Sequence, residues 1–132
     1  MEYLPEVNQD APSRLVRAYY DYTDNAIMVN DAGNVSKIVT VGSVSRIGYA
    51  QDHNGRPTAT YVSGGATFLY WYDTLAGAMV TTPFGTELKD PCVSFDDVRF
   101  EFLGNSDIIF SYIRDGKLYF REQRTRYLTE YL

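Results

Sequence analysis

A chain of 132 residues, 45% of them hydrophobic and with a formal charge of −5, has the size of one domain and enough apolar material for a core. Net acidity speaks against a general nucleic-acid binder, whose affinity comes from clustered Lys and Arg that displace counterions. No apolar run approaches the roughly 20 residues that span a bilayer, so no membrane insertion is expected.

Strand signals dominate, as short runs of β-branched and aromatic residues punctuated by Gly, Asn and Asp. Met1–Pro12, carrying Pro5, Pro12, Glu2, Glu6 and Asp10, reads as an N-terminal arm. Residues 13–132 read as a single all-β domain. The opening Met1–Glu6 lacks a basic stretch leading into an apolar one, so synthesis in a cytoplasm is expected rather than secretion. Leu15–Tyr20, Ala26–Val29 and Val35–Val41 are predicted strands, with Asn30–Asn34 as a turn tolerant of left-handed dihedrals. Val44–Ala50, Thr58–Val62, Thr67–Tyr72 and Met79–Thr82 follow as a four-stranded meander, with Asn54-Gly55 and Gly64-Gly65 as hairpin turns. The last unit is read as Val98–Leu103, Asp107–Ile113, Lys117–Gln123 and Leu128–Leu132. Period two puts Leu118 and Phe120 on one face of its third strand and Tyr119, Arg121 and Gln123 on the other, the pattern of a half-buried strand.

Two of these units echo each other. Thr58–Val62, a Gly-Gly turn and Phe68–Tyr72 are answered by Ile109–Ile113, Asp115-Gly116 and Lys117–Arg121. Units at about 44–83 and 97–132 therefore repeat at a period of about 50 residues, within the range of propeller blades. The fold class expected is antiparallel meanders in two to three blade-like sheets, arranged as an incomplete propeller, a β-sandwich or a small barrel. A ring of blades needs roughly four to eight, so an incomplete propeller would need further chains.

Candidate chemical sites are few. Asp21, Asp24, Asn25, Asn30, Asp31 and Asn34 crowd one region, yet without EF-hand spacing they read as turn chemistry before calcium ligands. His53, the lone histidine, reads as a solvated turn residue, because no nucleophile elbow or partner constellation accompanies it. Cys92 cannot form an internal disulfide and is expected as a small buried hydrophobe on a strand. Asp96 and Asp97 are adjacent and would point to opposite faces, so they make no catalytic pair, although one would cap or pair with Arg99. Arg114, Lys117, Arg121, Arg124 and Arg126 form a basic strip threaded by Asp107, Asp115, Glu122 and Glu130, read as strand edge and intersubunit pairing before phosphate or sugar-acid binding. Tyr49, Tyr70, Trp71, Tyr72, Tyr112, Tyr119 and Arg121 are the candidate interface or ligand-stacking residues, since 15% of the chain is aromatic and 12 residues are tyrosine. No catalytic residue, cofactor or metal ligand is assigned.

Asp90-Pro91-Cys92-Val93-Ser94-Phe95-Asp96-Asp97-Val98-Arg99 and the run from Ser106 through Arg114-Asp115-Gly116-Lys117 to Tyr127 resemble a pattern met in virion-associated proteins of tailed bacteriophages and prophages. Arg56-Pro57 to Asp73 matches it more loosely. The resemblance implies a component of the particle, at the tail or on the capsid surface, assembled in the host bacterial cytoplasm. It implies no catalytic residues. The function expected is therefore a non-enzymatic virion structural protein, a homo-oligomer that also meets other virion proteins. The alternative is a carbohydrate- or receptor-binding β module, for which a glycan or host receptor is the partner.

Overall fold

Alternating side chains and glycine-rich turns give ten antiparallel strands among the described residues. The structure, a computed structural model, describes residues 16–52, 54–96 and 107–132. The predicted N-terminal arm, the predicted strand Val98–Leu103, Arg99 and His53 lie outside the described residues. The chain divides into two compact units, the first ending at Thr40 and the second spanning Val41–Leu132.

The described part of the first unit is a meander of β1 (Val16–Asp21), β2 (Ala26–Asp31) and β3 (Asn34–Thr40), in that order. Its turns are built by the Asx residues. Asp21 Oδ1 accepts from the backbone N–H of Thr23 and Asp24, and Asn30 Oδ1 accepts from Gly33 N–H at 2.8 Å. The Asp and Asn side chains at these two positions are thus used by the backbone.

The second unit holds two sheets. β4 (Val44–Gln51), β5 (Pro57–Ser63), β6 (Ala66–Asp73) and β7 (Ala78–Pro83) form a meander in sequence order. β8 (Lys89–Asp96), β9 (Asp107–Arg114) and β10 (Lys117–Glu122) form a second. The fold is all-β, in three blade-like antiparallel sheets, and none of them closes into a barrel. A small barrel is therefore not the architecture. Nor is Leu128–Leu132 a strand: a 3-10 turn, Gln123–Thr125, leads instead into a segment that touches β10 through one bridge, Phe120 to Tyr131.

β8 is a strand that the sequence reading missed. Pro91 and the preceding Asp90, at φ +52°, sit where the register with β9 shifts between Lys89 and Cys92. Proline lacks the N–H that an inner strand needs, but an edge strand at a bulge tolerates it. Cys92 is on this strand as expected, yet it is exposed rather than buried. Its neighbour Val93 takes the inward position.

The core between the two sheets consists of Leu69, Trp71, Val93, Ile108, Phe110, Tyr112 and Tyr127, with Val80, Phe84 and Tyr119 packed around them. The first strands of the two sheets, β4 and β8, come close enough that a Cβ on Gly48 would stand 3.0 Å from Thr60 Cγ2 and 3.6 Å from Cys92 Cα. The β8 backbone would be in ordinary contact with such a Cβ, and the tight neighbour is the Thr60 methyl group across the β4–β5 ladder, which glycine at position 48 leaves room for. On β6, alternation sends Thr67, Leu69, Trp71 and Asp73 into the buried side and leaves Phe68, Tyr70 and Tyr72 half-buried on the other.

Candidate functional site

The inner face of the second sheet ends in a polar cluster built on β9, β10 and the C-terminal segment. Arg114, at the end of β9, makes a two-point ion pair with Glu130, Nη1 to Oε2 at 2.6 Å and Nη2 to Oε1 at 2.9 Å. The Tyr112 hydroxyl also donates to Glu130 Oε2. Arg121 Nε donates to the Tyr112 hydroxyl at 2.8 Å, and its Nη1 donates to the Tyr127 carbonyl at 2.7 Å. The Arg114 guanidinium holds the Glu130 carboxyl down at about pH 2, helped by Tyr112 and Arg121. Burial, together with the bond to Glu130, pushes the Tyr112 phenol up.

A second ion pair ties the same segment to the first sheet of this unit. Arg126 Nε and Nη2 donate to the two carboxylate oxygens of Asp73 at 3.1 and 2.6 Å, and the bond holds the Asp73 carboxyl below its ordinary range. Glu122 and Arg124 pair at 3.2 Å. The basic strip read from the sequence is therefore engaged mostly within the chain, with Arg114, Arg121, Arg124 and Arg126 all bound to acidic or carbonyl groups and Lys117 exposed.

The structure separates the seven candidate aromatic and basic residues into different environments. Trp71 and Tyr112 are 3% and 1% exposed, so they are core residues and cannot present a ring to a sugar or a partner. Trp71 Nε1–H is satisfied by Thr82 Oγ1 at 3.0 Å. Arg121 is held by Tyr112 and Tyr127, as above. Tyr119 packs against the core, and the Arg114 guanidinium lies 4.3 Å from its ring centre. Tyr49, Tyr70 and Tyr72 are half-buried and lie on the face of the four-stranded sheet turned away from Leu69 and Trp71. Tyr72 carries the Arg56 guanidinium 3.8 Å above its ring, and the Tyr49 hydroxyl accepts from Gln51 Nε2. Burial raises the Tyr70 phenol.

Among the described residues no group of three His, Cys, Asp or Glu side chains is placed to hold a metal ion. A depression of about 280 Å³ is lined by Phe84, Gly85, Thr86, Glu87, Leu88 and Arg114, and one of about 370 Å³ by Arg17, Asn30, Ala32 and Gly33. Thr86 and Glu87 are neighbours in the first of these, and no hydrogen bond between their side chains is formed.

The surface that does stand out is the outward face of β8–β10. Registers place Cys92 opposite Ser111, Ser94 opposite Ile109, Leu118 opposite Ile113 and Phe120 opposite Ser111, all on one side of the sheet. Leu118 is 64% exposed. The strand pattern read from the sequence is thus present, but its orientation is the reverse of the usual one. The inward side holds Tyr119 and Arg121, while the side that faces out mixes the exposed Leu118 and the half-buried Ile109, Ile113 and Phe120 with Cys92, Ser94, Ser111 and the buried Glu122. Arg121 goes inward because Tyr112 and Tyr127 supply acceptors there, and its guanidinium lies against Phe84, 5.1 Å from the ring centre. Leu128 and Leu132, 73% and 78% exposed, add apolar surface in the C-terminal segment, and Tyr131 stacks on Phe120.

No protein-family model, curated protein or solved structure matches the chain.

Proposed function

We propose that this chain is a non-enzymatic structural protein of a tailed-bacteriophage particle, in the tail or on the capsid surface, and that it self-assembles through its sheet faces. The assembly half of the reading is carried by β10, which turns Leu118 outward and Arg121 inward. A strand in a monomer would gain by the opposite arrangement, since burying an aliphatic side chain stabilises by roughly 1.5–3 kcal/mol. Leu118 on β10 and Leu128 and Leu132 in the segment after it are the exposed aliphatic side chains at this end of the chain, and such residues, once gathered at an interface, are what a partner would cover. The particle half rests on the resemblance of Asp90–Arg99 and Ser106–Tyr127 to virion-associated proteins. The buried positions of Trp71 and Tyr112 move the assembly surface from those residues to the outward face of the last sheet.

Light scattering coupled to size exclusion tests the assembly half, with a defined multiple of the 15.0 kDa chain as the expected result. A monomer throughout the micromolar range would sink it. An antibody raised against the chain tests the particle half by decorating purified virions of the phage that encodes it, and failure to decorate them would remove that context. The glycan-binding alternative loses ground because Arg56 and Arg114 already occupy ring faces of Tyr72 and Tyr119 that a sugar would use.

A further inference from the structure

The two hairpins that echo in the sequence are also equivalent in three dimensions, and their orientation says how sheets follow one another in this protein. β5–β6 turns through Gly64-Gly65 and β9–β10 through Asp115-Gly116, all four residues with φ between +54° and +85°. In each hairpin the same ladder position holds a stacked aromatic pair. Tyr61 lies opposite Phe68 with ring centres 5.4 Å apart, and Tyr112 lies opposite Tyr119 at 6.2 Å, both with planes inclined by 21°.

The two equivalent pairs face differently. Tyr112 points into the core between the sheets, whereas Tyr61 points away from it, because the core side of β5–β6 is the one with Thr60 and Leu69. The sheets therefore meet through unlike faces. Sheets related by a two-fold axis would meet through like faces, while successive sheets of a repeating stack meet through unlike ones, as propeller blades do. The contact between β4 and β8, the first strand of each sheet, belongs to the same repeating relation.

The outward face of β8–β10 is then the counterpart of the Thr60 and Leu69 face. That face is closed by the next sheet within the chain, leaving Thr60 at 1% and Leu69 at 0% exposure. Its counterpart bears Ile109, Ile113, Leu118 and Phe120 together with Cys92, Ser94, Ser111 and Glu122, and it belongs to the last sheet described in the chain. We infer that this outward face of β8–β10 receives a sheet of a second copy of the chain, joined head to tail, so that copies continue the succession of sheets found inside one chain. The inference rests on the self-assembly proposed above and adds its surface and its polarity. An unlike-face contact leaves each copy with one giving and one receiving side, and such contacts close into rings or extend as filaments.

The test measures the mass of the full chain, of Leu118→Asp and of Ser94→Arg by light scattering, with thermal unfolding as the control for folding. Both sites are exposed, on different strands of the same face, so a failure of one variant to fold leaves the other to decide. The expected result is a multimer for the unmodified chain and a monomer for each folded variant. A further mixing experiment reads the polarity. A Leu118→Asp chain keeps its other side intact, so a tenfold excess of it added to the unmodified multimer should cap the receiving faces and reduce the mass of the assemblies at least twofold. A monomeric unmodified chain overturns the inference together with the self-assembly reading. A multimer that both variants leave intact overturns the inference alone. A multimer that the variants abolish but that added Leu118→Asp leaves unchanged overturns the head-to-tail arrangement in favour of like faces.

Discussion

Trp71 and Tyr127 meet edge to face, with ring centres 4.9 Å apart and planes inclined by 81°. Tyr127 comes from a segment with no strand of its own, yet it is 1% exposed and belongs to the core between the two sheets. A residue after the last strand thus closes the core that β6 and β9 begin. Two consecutive left-handed residues, Arg126 at φ +56° and Tyr127 at φ +58°, turn the chain inward at this point.

Replacing Tyr127 with Ala should destabilise the protein by about 3 kcal/mol or more, the usual scale for removing a buried aromatic ring. Because the only tryptophan lies against it, the emission of Trp71 should shift to the red in the same variant. Denaturant unfolding monitored at Trp71 measures both. A loss below about 1 kcal/mol with unchanged emission would mean that the segment does not seal the core.

The Asp73–Arg126 pair fixes the same segment from the other side. Asp73 is 3% exposed, so removing its partner leaves a carboxylate with little water to replace it. Arg126→Met should accordingly be more destabilising than the double variant Arg126→Met with Asp73→Asn, in which no charge is stranded. The order of the three thermal midpoints should be unmodified chain first, double variant second, single variant last. With Asp73→Asn alone as the fourth member of the cycle, a double variant whose loss equals the sum of the two single losses would show that the groups are energetically independent.

Glu130 makes stability depend on pH in a defined window. Its folded carboxyl titrates at about 2, against an ordinary value of 4.5, so the folded state favours the charged form. A depressed acid contributes its full stabilisation above 4.5 and loses it as pH falls toward 2, because the unfolded chain takes up the proton first. Glu130→Gln should lower stability at pH 7 and flatten the decline between pH 4.5 and 2. Urea unfolding at a series of pH values compares the slopes, and parallel curves for the two proteins would exclude Glu130 as a source of the dependence.

How much of this was legible in the sequence depends on the range of the interaction. Hairpins were readable because Gly64-Gly65, Asn54-Gly55 and Asp115-Gly116 signal turns from local dihedral preference alone. The echo of the two hairpins was readable for the same reason. β8 was hidden, since Asp90-Pro91 reads as a break until the strand is known to lie at an edge and to bulge there. The facing of β10 was also hidden. Period two separates Leu118 from Tyr119 but does not say which side faces in, and the deciding acceptors lie on Tyr112 and in the C-terminal segment. Asp73 and Arg126 are 53 residues apart, and no local rule connects them. Burial of Trp71 and Tyr112 follows from sheet packing, which composition alone leaves open.

Thr58 offers a test of the core that runs opposite to the others, toward greater stability. It lies on β5 opposite Ala50, 0% exposed, and its Oγ1 has no hydrogen-bond partner among the described residues. A hydroxyl removed from water without a partner costs about 1–3 kcal/mol, whereas the backbone ladder around it does not depend on the side chain. Valine has nearly the same shape and the same preference for strands, so Thr58→Val replaces the hydroxyl with a methyl group and leaves the packing in place. The variant should be more stable by about 1 kcal/mol, read as a higher denaturant midpoint with an unchanged slope. Thr60→Val is the matched control, because Thr60 Oγ1 donates to the Phe68 carbonyl at 3.0 Å and its loss should destabilise. Equal losses from the two substitutions would show that Thr58 is satisfied by a water or a neighbour in solution, and that β5 is anchored at both hydroxyls rather than one.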